Sequence, residues 1–371
     1  MNFDFSDDQK ALKDQARKFL SAQSAMPAVR AVLNDEATSH DAALWGKIGE
    51  MGWLGASIPE AYGGLGLGAL ELCVIAEEMG RSLAPVPFAS TAYFFAEAVM
   101  LAGSADQKAA ILPKLAAGEL IGCFALSEGP GAARADGLGV ALEGGALTGV
   151  KVPVTDGDVA GMAVVVAREG AGVSLALVDL TGPGVTRTVV KTLDPTRSHA
   201  EIRFDGAPAE RLGAAGEGWA LAERVLERAA VYLAFEQIGG ADACLEMATD
   251  YAKSRYAFSR QIGSFQAIKH KLADMYVANQ VGRANAYYAA WALSADAPEL
   301  PLAAAQARVA ATEAFHIASK ENIQTHGGMG FTWEVDCHLY YRRAKLLAVQ
   351  AGGPGVWKEK LVSRLEQRNA A

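Results

Sequence analysis

Cysteine is scarce and scattered. Cys73, Cys123, Cys244 and Cys337 are the only four in 371 residues. None forms a CxxC pair or a metal-ligand spacing, so a disulfide framework and a zinc knuckle are both excluded, and the thiols read as buried and reduced in a cytoplasmic protein. The six histidines, His40, His199, His270, His316, His326 and His338, include no i, i+4 pair flanking a carboxylate, which removes the usual helical metalloenzyme signature. No Gly-x-Ser-x-Gly elbow or P-loop is present, and the glycine-rich loops offer only look-alikes of GxGxxG without a strand–turn–helix context. No lysine or arginine stripe exists. With 34 basic against 42 acidic residues the formal net charge is −8, which argues against nucleic acid, so an anionic ligand must be met by locally placed cations. One apolar run, Leu83 to Gly103, is long enough to raise the membrane question, but it is broken by Pro85, Pro87 and Glu97 and reads as a loop entering a buried helix. The acidic start, MNFDFSDDQK, lacks the charged-then-apolar pattern of a secretion signal.

What is there is apolar bulk. At 51% hydrophobic and 20% charged, the chain can build one extensive core or two to three packed domains. Its texture changes twice. Residues 1–118 are helical in pattern, with Ser6, Asp8 and Asp41 as N-cap candidates and Gly52, Gly63 and Gly64 as punctuation. Residues 119–212 carry short β-branched runs, IGCFALS, ALTGVKVPV, MAVVVA, VSLALVDL and AEIRF, that predict a small antiparallel sheet. Residues 213–371 return to long helices. The fold class is α+β.

The segment from Tyr251 to Met275, YAKSRYAFSRQIGSFQAIKHKLADM, places Tyr251, Ser254 and Phe258, and then Phe265, Ile268, Leu272 and Met275, at helical steps on either side of Gly263. Taken alone it is a helical hairpin in an α-bundle. The same segment, with its arginine, aromatic and glutamine ahead of LADM, resembles the signature of the acyl-CoA dehydrogenases. Near the C-terminus, IQTHGGMGFTWEVDCHLYYRRAK is similar to that family's second signature, and Trp45, MGWLG (51–55) and IPEAYGGLGLG (58–68) look like its first helical domain. The resemblance spans nearly the whole chain. It implies an N-terminal α-domain, a middle β-domain and a C-terminal four-helix bundle, with FAD as cofactor, an acyl-CoA thioester as substrate, an electron-transfer flavoprotein as electron acceptor and a tetramer as the assembly.

Carried over position by position, the resemblance assigns contacts to the adenosine-diphosphate half of a flavin, held mainly by a neighbouring subunit, to Arg255, Phe258, Gln266, Gln324, Gly327 and Gly328. The residue types suit that task. A guanidinium presents fixed donors to a pyrophosphate, an aromatic packs on adenine or ribose, and glycine lets backbone come close. Gly327 and Gly328 fit a helix C-cap equally well, and His326 between them and Gln324 reads as shaping the turn. Ser127, from ALSEGPGAARAD, and Thr155, from KVPVTD, match flavin-contacting positions but also suit ordinary strand hydroxyls. Pro153 stands where the family's flavin-covering tryptophan is expected.

Dehydrogenation needs a carboxylate to take the proton α to the thioester. The resemblance points to two positions for it, and both hold alanine: Ala351, in QAGGPG, and Ala229, twenty-two residues before Tyr251. Glu236 lies seven residues, about two turns, beyond Ala229 on the same predicted helix and becomes the candidate base. In the apolar setting of AFEQIGG burial would raise its pKa towards base catalysis, although a carboxylate capped by a neighbouring Gln or Arg fits the same pattern. Glu223 and Glu227 keep charged company and read as solvated-face residues. Two readings follow: a self-sufficient dehydrogenase with a relocated base, or a base-lacking subunit that completes the flavin site of a homologue, as in the heteromeric α2β2 members of the family that take steroid side chains. A third is another flavin reaction on the same fold, such as oxygen activation.

Overall fold

The computed structural model describes residues 5–24, 26–35 and 37–370. The first four residues of the acidic N-terminal stretch lie outside it. Helices come first: α1 (Asp7–Gln23), α2 (Met26–Asn34), α3 (Ala42–Glu50), α4 (Ala69–Ser82), α5 (Ala96–Ala102) and α6 (Ala105–Ala116). Ser6 caps α1 through a capping box, its hydroxyl accepting from the Gln9 N–H at 3.2 Å while its own N–H donates to Gln9 Oε1 at 2.9 Å. Asp8 is therefore not a cap. It sits in the first turn of α1, where its charge meets the positive end of the helix dipole. Asp41 caps α3, accepting from the Leu44 N–H at 2.9 Å. The run from Leu83 to Gly103 is a buried connection and helix, and its interior Glu97 accepts from Arg228 Nε at 2.6 Å.

Seven strands follow: β1 (Gly122–Ala125), β2 (Ala141–Glu143), β3 (Ala146–Thr155), β4 (Met162–Glu169), β5 (Gly172–Asp179), β6 (Val185–Val189) and β7 (His199–Leu212). Pairing runs β4-β2-β3-β7-β5 and returns from β5 to β4, so the sheet closes on itself around Val140, Leu147, Val165, Val178, Ile202 and Phe204. Closure leaves the two faces of β4 unequal to a simple in–out alternation. Ala163 to Ala167 are buried without a break, which explains the uninterrupted apolar run there. Most ladders are antiparallel, as the short runs predict. Two are parallel: β1 with β4, and a single-residue contact of β2 with β4. Neither is joined by a tight turn, and only tight turns force neighbouring strands to oppose each other.

The remaining helices are α7 (Gly218–Ser254), α8 (Gln266–Ser294), α9 (Leu300–His326), α10 (Cys337–Val349) and α11 (Pro354–Ala370). By compactness the chain forms two units, one of residues up to 29, 69–84 and 230 onward, the other of residues 30–68 and 85–229. In the first unit α4 crosses α7 backbone to backbone. A Cβ on Gly80 would stand 1.8 Å from the Glu236 carbonyl oxygen, and one on Gly239 would stand 1.8 Å from the Glu77 carbonyl oxygen. Neither obstacle is a flexible side chain. Gly239→Ala is therefore expected to lower stability by about 3 kcal/mol, the upper end for overpacking, measured by denaturant unfolding. Glu77, buried beside this crossing, is held by Lys13 Nζ and Arg283 Nη1, each at 2.8 Å, and Arg283 also pairs with Asp242. All four cysteines are buried thiols, none in a disulfide.

Candidate functional site

The segment that carries the Arg signature is not two helices and a glycine break. α7 stops at Ser254, whose hydroxyl donates back to the carbonyls of Asp250 (2.9 Å) and Tyr251 (3.2 Å). Beyond it β8 (Tyr256–Ala257) and β9 (Arg260–Gln261) form a two-residue hairpin across Phe258 and Ser259, whose φ angles of 54° and 63° are those of a type I′ turn. The apolar step that suggested a helical Phe258 is misleading, because its ring is 92% exposed and rests edge-on against Phe265, with centroids 6.3 Å apart. Arg260 stacks on the same Phe265 ring: its guanidinium sits 4.0 Å from the ring centre and pins the hairpin to the start of α8, where Gln266 begins the helix. Gly263 is needed in this turn. A Cβ there would stand 2.9 Å from the Ala252 carbonyl oxygen. Left-handed backbone at a non-glycine residue costs on the order of 1 kcal/mol. Ser259→Gly is accordingly expected to stabilise the protein by roughly 1 kcal/mol without loss of ligand binding, read by thermal unfolding.

The second signature ends α9. Gly327 adopts φ 61° and its N–H donates to the Gln324 carbonyl, a helix C-cap, while His326 Nδ1 donates to the Asn322 carbonyl at 2.9 Å. The His326 ring stacks on Tyr251 with centroids 4.1 Å apart, and the Tyr251 hydroxyl reaches Met329 Sδ at 3.8 Å. Tyr251 precedes Arg255 by one helical turn and His326 adjoins Gly327, so this stack brings the two signatures to the same end of the bundle. His326 shapes that junction. Arg255, Gln266, Gln324, Gly327 and Gly328 are all exposed, and a Cβ built on either glycine meets nothing within 4 Å. Among the described residues no side-chain hydrogen bond or ion pair engages the Arg255 guanidinium. A cation, an open aromatic face, two amides and approachable backbone suit an adenosine diphosphate. The residues fit that half of FAD.

In the strand unit, the residues of the ALSEGPGAARAD and KVPVTD segments divide into two roles. Lys151, fully buried, donates to Glu128 Oε1 at 2.7 Å and to the Leu126 carbonyl at 2.9 Å, and Glu128 also accepts from the Gly139 and Val140 N–H groups. Burial pushes the Lys151 amine down to about 8, against the pull of Glu128. This pair clamps the loop after β1 to β3. Ser127 is half-buried, and its carbonyl accepts from the Val152 N–H at 2.8 Å. Thr155, also half-buried, holds its hydroxyl 3.2 Å from His199 Nε2. Pro153 is exposed.

Glu236 lies inside the helical unit at 1% exposure, its Oε1 3.6 Å from Arg343 Nη1. Arg308 is its second cationic neighbour. That guanidinium donates to Gln237 Oε1 at 2.5 Å, to the Gln350 carbonyl at 2.8 Å and to the Leu347 carbonyl. Burial drags it down to about 9 while the Glu236 charge pulls it up. The carboxylate thus bridges α7 to the guanidinium groups of α9 and α10. Ala351 follows α10 with φ 63°, its carbonyl accepting from Trp357 Nε1 at 3.1 Å.

Residues 6–119 match the description "Acyl-CoA dehydrogenase, N-terminal domain", and residues 216–365 match "Acyl-CoA dehydrogenase, C-terminal domain". Acyl-CoA dehydrogenase IpdE2 of Mycobacterium tuberculosis is 33% identical over 341 residues, covering 91% of this chain and 91% of its own. The chain belongs to the acyl-CoA dehydrogenase family. FAD-dependent dehydrogenation of acyl-CoA thioesters is that family's activity. Among solved structures, a variant of the Tcur3481-Tcur3483 steroid ACAD superimposes with a TM-score of 0.90 at 30% identity, over 98% of this chain and 99% of that one. The ChsE4-ChsE5 complex of Mycobacterium tuberculosis does so with a TM-score of 0.90 at 27% identity, over 99% of each chain. No helix among the described residues is long and apolar enough to cross a membrane.

Within this acyl-CoA dehydrogenase fold, sequence reasoning missed His199, Arg308 and Arg343. Each acts on a residue 44 to 107 positions away. Only the β3–β7 register and the packing of α7 against α9 and α10 bring them together, although strand alternation could have suggested a partner for Thr155.

Proposed function

We propose that this chain works in an acyl-CoA dehydrogenase assembly as the subunit that completes a homologous subunit's flavin site, and that the base for α-proton removal comes from that partner. The observation that carries this reading is the exposed group of Arg255, Phe258, Gln266, Gln324, Gly327 and Gly328 at one end of the bundle, formed without a carboxylate at Ala229 or Ala351. Bound FAD supplies hydride acceptance from the β-carbon. The chain's own residues bind and orient: Arg255 neutralises pyrophosphate charge, Phe258 covers an aromatic or ribose face, and Gln266 and Gln324 fix hydrogen-bonding direction. Ser127 and Thr155 would face the ring portion of a flavin carried on this chain's own strand unit, separate from the one that the Arg255 group completes. The paired names Tcur3481-Tcur3483 and ChsE4-ChsE5 support a two-gene assembly, and the first supports a bulky, steroid-like acyl group. An electron-transfer flavoprotein as acceptor follows the family chemistry, and cysteines outside any disulfide favour the cytoplasm.

The deciding experiment is the flavin-to-protein ratio of the chain purified alone and after co-expression with a homologous subunit, followed by anaerobic addition of acyl-CoAs. Flavin retained only on co-expression supports the reading. Stoichiometric FAD in the isolated chain that bleaches with a thioester overturns it, and favours a self-sufficient enzyme whose base is Glu236, the buried carboxylate two turns from Ala229.

A further inference from the structure

The register of β3 against β7 sets Thr155 opposite His199. His199 is 8% exposed, with Nδ1 3.1 Å from the Arg197 carbonyl oxygen and Nε2 3.2 Å from Thr155 Oγ1. A carbonyl can only accept, so Nδ1 must carry the proton. Burial, assisted by the Arg197 charge, holds the imidazole below its ordinary 6.5, while the Arg197 carbonyl, Asp194 and Asp158 pull the other way. The ring is then neutral at pH 7 and Nε2 keeps a lone pair. A hydroxyl has one proton, and Thr155 must spend it on that lone pair.

The remaining face of the Thr155 oxygen can therefore only accept. We propose that His199 is a positioning residue that makes Thr155 an obligate hydrogen-bond acceptor towards a bound flavin ring. The proposal rests on the reading that Thr155 lines a flavin site. An acceptor-only hydroxyl discriminates between redox states, because a reduced isoalloxazine carries ring N–H that the oxidised ring lacks. Thr155 therefore favours the reduced cofactor. Protonating His199 would reverse the bond, turn Thr155 into a donor and remove the preference.

The first test needs no flavin: long-range 1H–15N NMR of the purified protein, with the His199 signal assigned by its loss in His199→Phe. The expected result is a neutral Nδ1–H tautomer at pH 7 that titrates below 6.5. An Nε2–H tautomer or a charged ring at pH 7 overturns the proposal. The second test is a reductive titration of the FAD-loaded protein, with its partner subunit if loading requires one. His199→Phe and Thr155→Val are each expected to lower the preference for reduced over oxidised FAD about tenfold, ~30 mV for a two-electron couple, and the double variant to lower it no further. His199→Gln, whose carbonyl can also accept from Thr155, should restore most of it and controls for folding. Additive shifts, or none, overturn the proposal. Failure of FAD to load in any assembly overturns the cofactor reading and the redox consequence with it, while the tautomer stands or falls on the NMR result.

Discussion

Glu236→Gln is expected to destabilise the protein by about 3 kcal/mol or more, because removing one partner of a buried ion pair leaves the other charge uncompensated. The side chain is 1% exposed and its carboxylate lies 3.6 Å from Arg343 Nη1, with Arg308 drawing on the same charge. Glutamine keeps the volume and the hydrogen-bonding shape, so the loss measures charge and not a cavity. Denaturant unfolding of the single variant and of Glu236→Gln/Arg343→Met provides the check: the double variant should recover part of the loss, since two neutral groups need no counter-ion. A Glu236→Gln protein of unchanged stability that binds flavin but does not turn over would instead make Glu236 the catalytic base. The two outcomes separate a counter-ion from a proton acceptor on one substitution.

Arg255→Ala is expected to weaken FAD retention by roughly 10- to 100-fold in the assembled protein, the worth of a charge-assisted hydrogen bond of about 1.5–3 kcal/mol. Stability should not change, because the Arg255 side chain is exposed and no ion pair among the described residues holds it. Arg255→Lys should recover only part of the affinity, since an ammonium cannot present the planar fork of a guanidinium. Equilibrium dialysis of FAD against each assembled variant measures both. Equal retention in wild type and Arg255→Ala would remove Arg255 from the site. A pH series adds a third readout. His199 has its folded pKa depressed below 6.5, so the unfolded chain binds the proton more readily, and wild-type stability should fall as pH drops through about 6.5. His199→Gln should lack that component in thermal melts between pH 5 and 7.

The signatures show where reading residues in order succeeds and where it stops. Ser6 and Asp41 were legible as caps because a cap is a local event, one side chain and an N–H three residues on. The hairpin at Phe258 and Ser259 was not, because its residues carry a helical apolar spacing and none of the glycine or asparagine that usually marks a type I′ turn. Nothing in the local sequence around Gly80 and Gly239 sets them apart. Their role appears only when α4 lies against α7, each facing the other's backbone.

By itself the sequence determined the family, the helix–sheet–helix order and the alanines at both expected base positions, since these rest on residue identity and short spacings. Tertiary structure alone decided which partners the buried polar groups meet. Glu236 as an isolated letter is equally a base or a counter-ion, and Thr155 equally a donor or an acceptor. The fold sets Arg343, 107 residues away, beside the first and His199, 44 residues away, beside the second, because a charge or a hydroxyl proton acts over a few ångströms and only tertiary structure brings such distant positions that close.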